Sequence, residues 1–314
     1  MRILFMGTPD FALFSLDALV KSGEDIVGVV TQPDKPKGRG LTLTPPPVKV
    51  YAMEHGIAVY QPQTLKDGAF QETLDALNPE LIVVVAYGKI LPKYVLDYPK
   101  HGCINVHGSL LPKYRGAAPM QRAIMDGEKV SGVTTMYMAE GLDTGDMLIK
   151  EEVEIAEDDN FETVHDKLGE AGARALLLTI EAAKSGTLAP KKQDDAESTY
   201  AAKIEKAECL IDFATDAHTI HNKIRGLSPF PLAFAYLPSG KMLKIVRAHF
   251  ESAPDTGEYG KVVRADKNGI AVTAKDGLVV IEVATPEGKK AQSAGDLVNG
   301  RQISVGDIFN QSEK

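Results

Sequence analysis

Two polar residues in the stretch CINVHGSLLPKYRG (103–116) have the types and spacing that chemistry at a carbonyl carbon requires. Asn105 and His107 are two apart, so on a β-strand their side chains share one face. Ile104 and Val106 then point to the other face, into packing. One strand end presents an amide donor beside an imidazole. The loop that follows, SLLPKYRG, starts apolar, contains a proline and ends basic. Its backbone groups and leucines suit a flat heterocycle. A third group lies in EGLDTGD (140–146), where Asp143 sits on a turn from which it can reach His107. A carboxylate there orients an imidazole and favours its protonated form. Together the three supply a donor for a developing oxyanion, a proton carrier and an orienting acid. Taken singly, each also has an ordinary structural reading: a hydrogen-bonded core histidine, a strand-end asparagine, a turn-forming aspartate.

Other signatures fail. Ser109 follows a glycine, but Leu111 stands two residues later, where a nucleophile elbow needs another glycine. The turn GTPDF (7–11) lacks GxGxxG, which disfavours a dinucleotide dehydrogenase. The two cysteines, Cys103 and Cys209, are far apart and without metal-ligand spacing. No metal and no disulfide is expected, and a reducing cytoplasm fits.

The elements that must position these groups read as a doubly wound, mostly parallel α/β sheet. Expected strands are Arg2 to Met6, Ile26 to Thr31, LIVVVAY (81–87), Gly102 to His107 and Gly132 to Met138. Runs apolar on both faces, as in 81–87, belong to parallel strands covered on each side. Helical patterns run from Phe11 to Lys21 and within Phe161 to Ser185. Ligands of such sheets bind at the carboxyl edge, where His107 ends its strand. The polar stretch 188–207 reads as a linker. Beyond it, a helix around Thr215 to Arg225 precedes five short strands separated by turn residues, which suggests a small OB-like β-barrel. The expected division is therefore a Rossmann-like catalytic domain over 1–187, a linker over 188–207 and the barrel over 208–314.

The 314 residues are 44% hydrophobic and 25% charged, ordinary for a globular protein. No run approaches the ~18–20 apolar residues of a membrane span, and the N-terminus does not read as a signal peptide. The formal net charge of −8 argues against a nucleic-acid binder on average. The charge is uneven, however. From Glu208 onward acids and bases balance, and EEVEIAEDD (151–159) concentrates much of the deficit. The loop Gln32 to Lys49 is locally basic, with Lys35, Lys37, Arg39 and Lys49 against Asp34. Glycines 38 and 40 flank Arg39 and allow the loop's middle to move. A plain solvated loop is the competing reading.

Six blocks, in this order, carry a resemblance along essentially the whole chain: FMGTPDF (5–11), TQPDKPKGRG (31–40), VVVAYGKILP (83–92), GCINVHGSLLPKYRGAAPMQRAI (102–124), GLDTGDML (141–148) and, more weakly, EGKKAQSAGDLVNG (287–300). The chain resembles the folate-dependent formyltransferase superfamily, and within it the branch that formylates methionine carried by initiator tRNA for translation initiation. The resemblance implies 10-formyltetrahydrofolate as co-substrate, with no metal. It implies catalytic roles for Asn105, His107 and Asp143 and a folate-lining loop of Ser109, Leu110, Leu111 and Pro112. It also implies tRNA contacts from Lys35, Lys37 and Arg39, a mobile loop reaching toward the acceptor stem, and from the barrel. There the candidates are Lys241, Lys244, Arg247, Lys261, Arg264, Lys289 and Lys290, with Lys244 and Arg247 foremost. The sequence departs from the pattern at Leu41 to Thr44, where a more basic continuation is expected. A monomer is expected. Two rival readings share parts of this pattern: a relative acting on an amino sugar nucleotide or a ribonucleotide, and a non-catalytic RNA-binding protein. The basic loop and barrel favour tRNA over the first; the joint presence of Asn105, His107 and Asp143 counts against the second.

Overall fold

The apolar runs of the first half form a seven-stranded sheet in the computed structural model, which describes residues 1–37 and 42–309. The strands are β1 (Arg2–Gly7), β2 (Asp25–Val30), β3 (Val59–Tyr60), β4 (Leu81–Val85), β5 (Cys103–His107), β6 (Val130–Tyr137) and β7 (Met147–Glu154). Their order is β7-β6-β5-β4-β1-β2-β3. The five strands from β3 to β5 run parallel, and β6 and β7 complete the edge antiparallel. β4 is buried at every position, as a central parallel strand is when helices cover both faces. From Lys150 on, β7 alternates exposed and half-buried residues, which lets an edge strand carry Glu151, Glu152 and Glu154. By composition alone this stretch reads as an acidic cluster and not as a strand.

The chain folds as two compact units that interleave in sequence. One comprises Met1–Gly116, Val130–Glu154 and His165–Ala201; the other comprises Ala117–Lys129, Ile155–Val164 and Ala202–Lys314. Where a linker over 188–207 was expected, residues up to Ala201 belong to the first unit. Lys191 bridges Met147, and Tyr200–Ala201 pair in parallel with Arg115–Gly116. Polar composition looked like a connector because these residues are held through hydrogen bonds and not through apolar burial.

The second unit carries β8 (Ala233–Tyr236), β9 (Met242–Ser252), β10 (Val262–Asp266), β11 (Gly269–Ala274), β12 (Gly277–Pro286) and β13 (Gln292–Ser293). The order is β8-β9-β12-β11-β10, antiparallel throughout, with β13 on β12. Register shifts around Arg247 and between Val262 and Arg264 bend the strands. The arrangement fits the expected OB-like barrel. Its core joins Ile220, Ile224, Leu243, Ile245, Val272 and Ile281. No helix among the described residues is long and apolar enough to cross a membrane.

Within this unit the helix Ala217–Gly226 carries a buried polar face. Arg225 donates to Asn222 Oδ1 at 2.8 Å and to the carbonyls of Ala156 and Asp159, both at 3.0 Å. Beside it, His221 is only 6% exposed. Burial first, then the Arg225 cation and His218, push its pKa down to about 4 against the opposing pull of Glu157 and Asp158. The folded state therefore keeps this ring neutral, whereas the unfolded chain protonates it near ~6.5. Its contribution is intact above that pH and is lost as pH falls from there toward about 4. Thermal unfolding measured across this window should show wild type losing stability faster than His221→Phe on acidification. Parallel curves would remove His221 from the account.

Candidate active site

Asn105 and His107 lie on β5, facing the same side of the sheet, with His107 as the strand's last residue. In register, Asn105 stands between Val84 of β4 and Met136 of β6, and His107 opposes Thr134. The backbone is thus fixed on both sides, which positions the side chains better than a loop does. His107 is 6% exposed. Its Nε2 lies 2.9 Å from the carbonyl of Tyr114. A carbonyl only accepts, so Nε2 carries the hydrogen and donates it. Nδ1 lies 3.7 Å from Asp143 Oδ2. Asn105 is half-buried, and its carboxamide makes no hydrogen bond among the described residues. The structure brings the three side chains named from sequence to one strand end.

Asp143 owes its place to a turn that no strand pattern announces. Its backbone has φ +51°, a left-handed conformation uncommon for a residue with a side chain. Oδ2 accepts from the Gly116 N–H at 2.9 Å. Gln193 donates to the Asp143 carbonyl at 2.7 Å and to the Gly145 carbonyl at 2.8 Å. Gly145 lies so close to β6 that an added Cβ would fall 1.8 Å from the Tyr137 carbonyl oxygen.

The loop Ser109 to Pro112 is tied into the fold through part of its backbone. Ser109, Leu111 and Pro112 are buried, and several main-chain groups are engaged inside the protein. Thr134 donates to the Ser109 carbonyl at 2.7 Å and accepts from the Leu111 N–H at 3.1 Å. Ser109 Oγ donates to the Lys113 carbonyl at 2.6 Å, and Lys150 donates to the Leu111 carbonyl. These bonds hold this side of the loop in place, because buried polar backbone must be paired within the fold. Leu110 is the half-buried member. Burial, with Lys191 nearby, lowers the pKa of Lys150.

The basic loop is only partly described. Lys35–Lys37 pairs with Thr42–Thr44 as an antiparallel ribbon, and Lys35 Nζ donates to Gln32 Oε1 at 2.6 Å. Arg39 lies outside the described residues. Lys49 is ion-paired with Asp34 at 2.9 Å, so it adds no free charge to the loop. In the second unit Lys244 is half-buried, and Arg247 pairs with Glu282. Arg264 pairs with Glu251 at 2.7 Å and Lys261 with Glu258 at 2.8 Å; Lys289 donates to Gln302 at 3.1 Å. Lys241, Lys244 and Lys290 have no acidic partner among the described residues. Burial raises the Cys103 thiol to about 12, which disqualifies it as a nucleophile. No cluster of metal-ligating side chains occurs among the described residues.

Residues 1–180 match the family described as formyl transferase, and residues 203–302 match the formyl transferase C-terminal domain. A methionyl-tRNA formyltransferase of Geotalea uraniireducens is 49% identical over 313 residues, covering 100% of this chain and 99% of that one. That of Bacillus subtilis is 47% identical over 309 residues, with 98% and 97% covered. Among solved structures, an N-formyltransferase from Helicobacter canadensis in complex with folinic acid and dTDP-3-aminofucose superposes with a TM-score of 0.64 at 19% identity. It covers 91% of this chain and 99% of that one.

Proposed function

The chain belongs to the formyl transferase family, and from that premise we propose that it moves the formyl group of 10-formyltetrahydrofolate onto the α-amino group of methionine on initiator tRNA. One observation carries the reading. The likeness to methionyl-tRNA formyltransferases runs through both units, over 313 residues, and does not stop with the sheet that holds the chemistry.

Attack of the amine on the formyl carbon creates a tetrahedral centre with a developing oxyanion. The Asn105 carboxamide, which has no partner among the described residues, donates a hydrogen bond to that oxygen. Such a donor contributes roughly 10²–10³ in rate. With Nε2 committed to the Tyr114 carbonyl, Nδ1 is the ring atom that exchanges a proton with the attacking amine. Asp143, 3.7 Å from it, steadies the cation when Nδ1 takes that proton. The centre then collapses, the bond from the formyl carbon to the folate nitrogen breaks, and that nitrogen leaves with the proton as tetrahydrofolate. The folate supplies the activated formyl group. The half-buried Leu110 offers its side chain to the folate ring. Transfer of labelled formyl from 10-formyltetrahydrofolate to charged initiator tRNA tests the assignment. Labelling of an amino sugar nucleotide in preference to Met-tRNA would overturn it.

The loop around Arg39 and the unpaired lysines of the second unit supply the tRNA contacts. Arg39→Ala is expected to leave stability within about ±0.5 kcal/mol, since its sequence neighbours Gly38 and Gly40 give it no core residue to support. It should sharply lower kcat/KM for Met-tRNA. Arg39→Lys should recover only part of the loss, since an ammonium keeps the charge but not the planar fork. Steady-state formylation by the three proteins at one salt concentration measures this. Full activity in both variants would return the loop to an ordinary surface role.

A further inference from the structure

The segment that follows the long helix Phe161–Ser185 carries a side chain with an unusual set of partners. Gln193 is 6% exposed and uses its whole amide. Nε2 donates to two carbonyls of one turn, Asp143 at 2.7 Å and Gly145 at 2.8 Å. Oε1 accepts from Arg115 Nε at 2.9 Å. The Arg115 guanidinium is held in turn by Asp195 at 2.8 Å. Because Arg115 can only donate, it fixes which end of the amide is oxygen, and so forces both amide hydrogens toward the turn.

That turn is the one whose backbone stands at φ +51° at Asp143. Aspartate reaches this region more readily than most residues with a side chain, and the contacts around it hold it there. Gln193 supplies two of the constraints, on the carbonyls of the residue itself and of Gly145. The same segment also grips the other half of the site. Thr199 Oγ1 accepts from the Tyr114 N–H at 2.8 Å, and the Thr199 carbonyl accepts from the Arg115 N–H at 2.9 Å. Tyr114 offers the carbonyl that holds His107, and Gly116 offers the N–H that holds the Asp143 carboxylate. Residues 193–199 therefore fasten both neighbours of the imidazole.

We propose that Gln193 is a positioning residue that sets the distance and angle between Asp143 and His107 by clamping the Asp143–Gly145 turn. It touches neither the substrate nor the imidazole; it acts through Asp143. The proposal rests on the catalytic roles assigned above.

A double-mutant cycle tests it in the full-length protein. Gln193→Ala is expected to lower kcat at least about tenfold, with KM for Met-tRNA and for folate changed less than about threefold. Introduced into Asp143→Ala, the same change should cost less than about twofold, since the group it positions is gone. Gln193→Glu is nearly isosteric and keeps the acceptor that Arg115 needs. It loses the two donors and sets a negative charge against two carbonyls, so it should fall with Gln193→Ala. If Gln193→Ala does not fold, Gln193→Glu carries the cycle. Equal losses with and without Asp143, or full activity in Gln193→Glu, would overturn the proposal and leave a structural tie to Arg115 only. The NMR resonances of the His107 ring give a readout that needs no substrate. They should move in Gln193→Glu, and unmoved signals would also overturn the proposal. A wild-type chain that does not formylate Met-tRNA, with His107 signals that do respond to Gln193, would fault the substrate assignment and not the clamp.

Discussion

Asn105→Ala is expected to lower kcat for formyl transfer at least about a hundredfold while leaving folding and KM nearly unchanged. The carboxamide is half-buried and makes no hydrogen bond among the described residues. Its removal orphans no partner, so the loss falls on the transition state alone. His107→Ala and Asp143→Ala should each cost a similar factor for different reasons. Loss of the imidazole removes one donor from the Tyr114 carbonyl, and loss of the carboxylate takes the acceptor from the Gly116 N–H. Both therefore also reduce thermal stability modestly. Combined substitutions should fall short of additivity, because the three act on one tetrahedral centre. Steady-state formylation with thermal melts on the same preparations checks this. Near-normal turnover in Asn105→Ala or His107→Ala would sink the mechanism.

Gly145→Ala should act on stability and chemistry at once. The added carbon would lie 1.8 Å from the Tyr137 carbonyl oxygen and 2.8 Å from its carbon. Both are backbone atoms at the end of β6, so no side chain can rotate aside. The turn itself must move, at a cost of roughly 1–3 kcal/mol or more. Gly145 shares the Gln193 clamp with Asp143, so the displacement carries the carboxylate away from His107. Turnover is then expected to fall further than the loss of folded protein accounts for. A melt displaced by several degrees and a kcat loss measured well below that melt would bear this out. Wild-type values for both would mean that the strand end yields easily.

The central strands were legible because β1 and β4 are apolar on both faces, a pattern few other environments produce. The Asn105 and His107 pair was legible because strand periodicity places residues two apart together. Asp143 could be named because a polar residue between glycines marks a turn, though its distance to His107 could not. β7 escaped notice because Glu151, Glu152 and Glu154 dominate its composition, and an edge strand tolerates them. Thr134, Gln193 and the main-chain groups of Tyr114 and Gly116 were not legible at all. Backbone donors have no sequence signature. Gln193 lies 50 residues from Asp143, in a stretch whose polarity imitates a connector. The ties of the loop 109–112 were hidden for the same reason: a loop's sequence does not reveal that Thr134 and Lys150 donate to its carbonyls.

The interleaving of the two units bears on how the chain acquires its structure during synthesis. Every residue of the first unit has been made once Ala201 is joined, whereas the second needs the remainder of the chain. Two of its pieces, Ala117–Lys129 and Ile155–Val164, are made much earlier and must wait for their partners. Arg122 in the first piece finds Glu208 at 2.9 Å, and the carbonyls of Ala156 and Asp159 in the second find Arg225. A nascent chain halted at residue 207 would thus display unpaired helix and loop surface that chaperones and proteases recognise. Neither unit can be excised, exchanged or transplanted by a single cut, so recombination within such a gene preserves both units only when it takes them together.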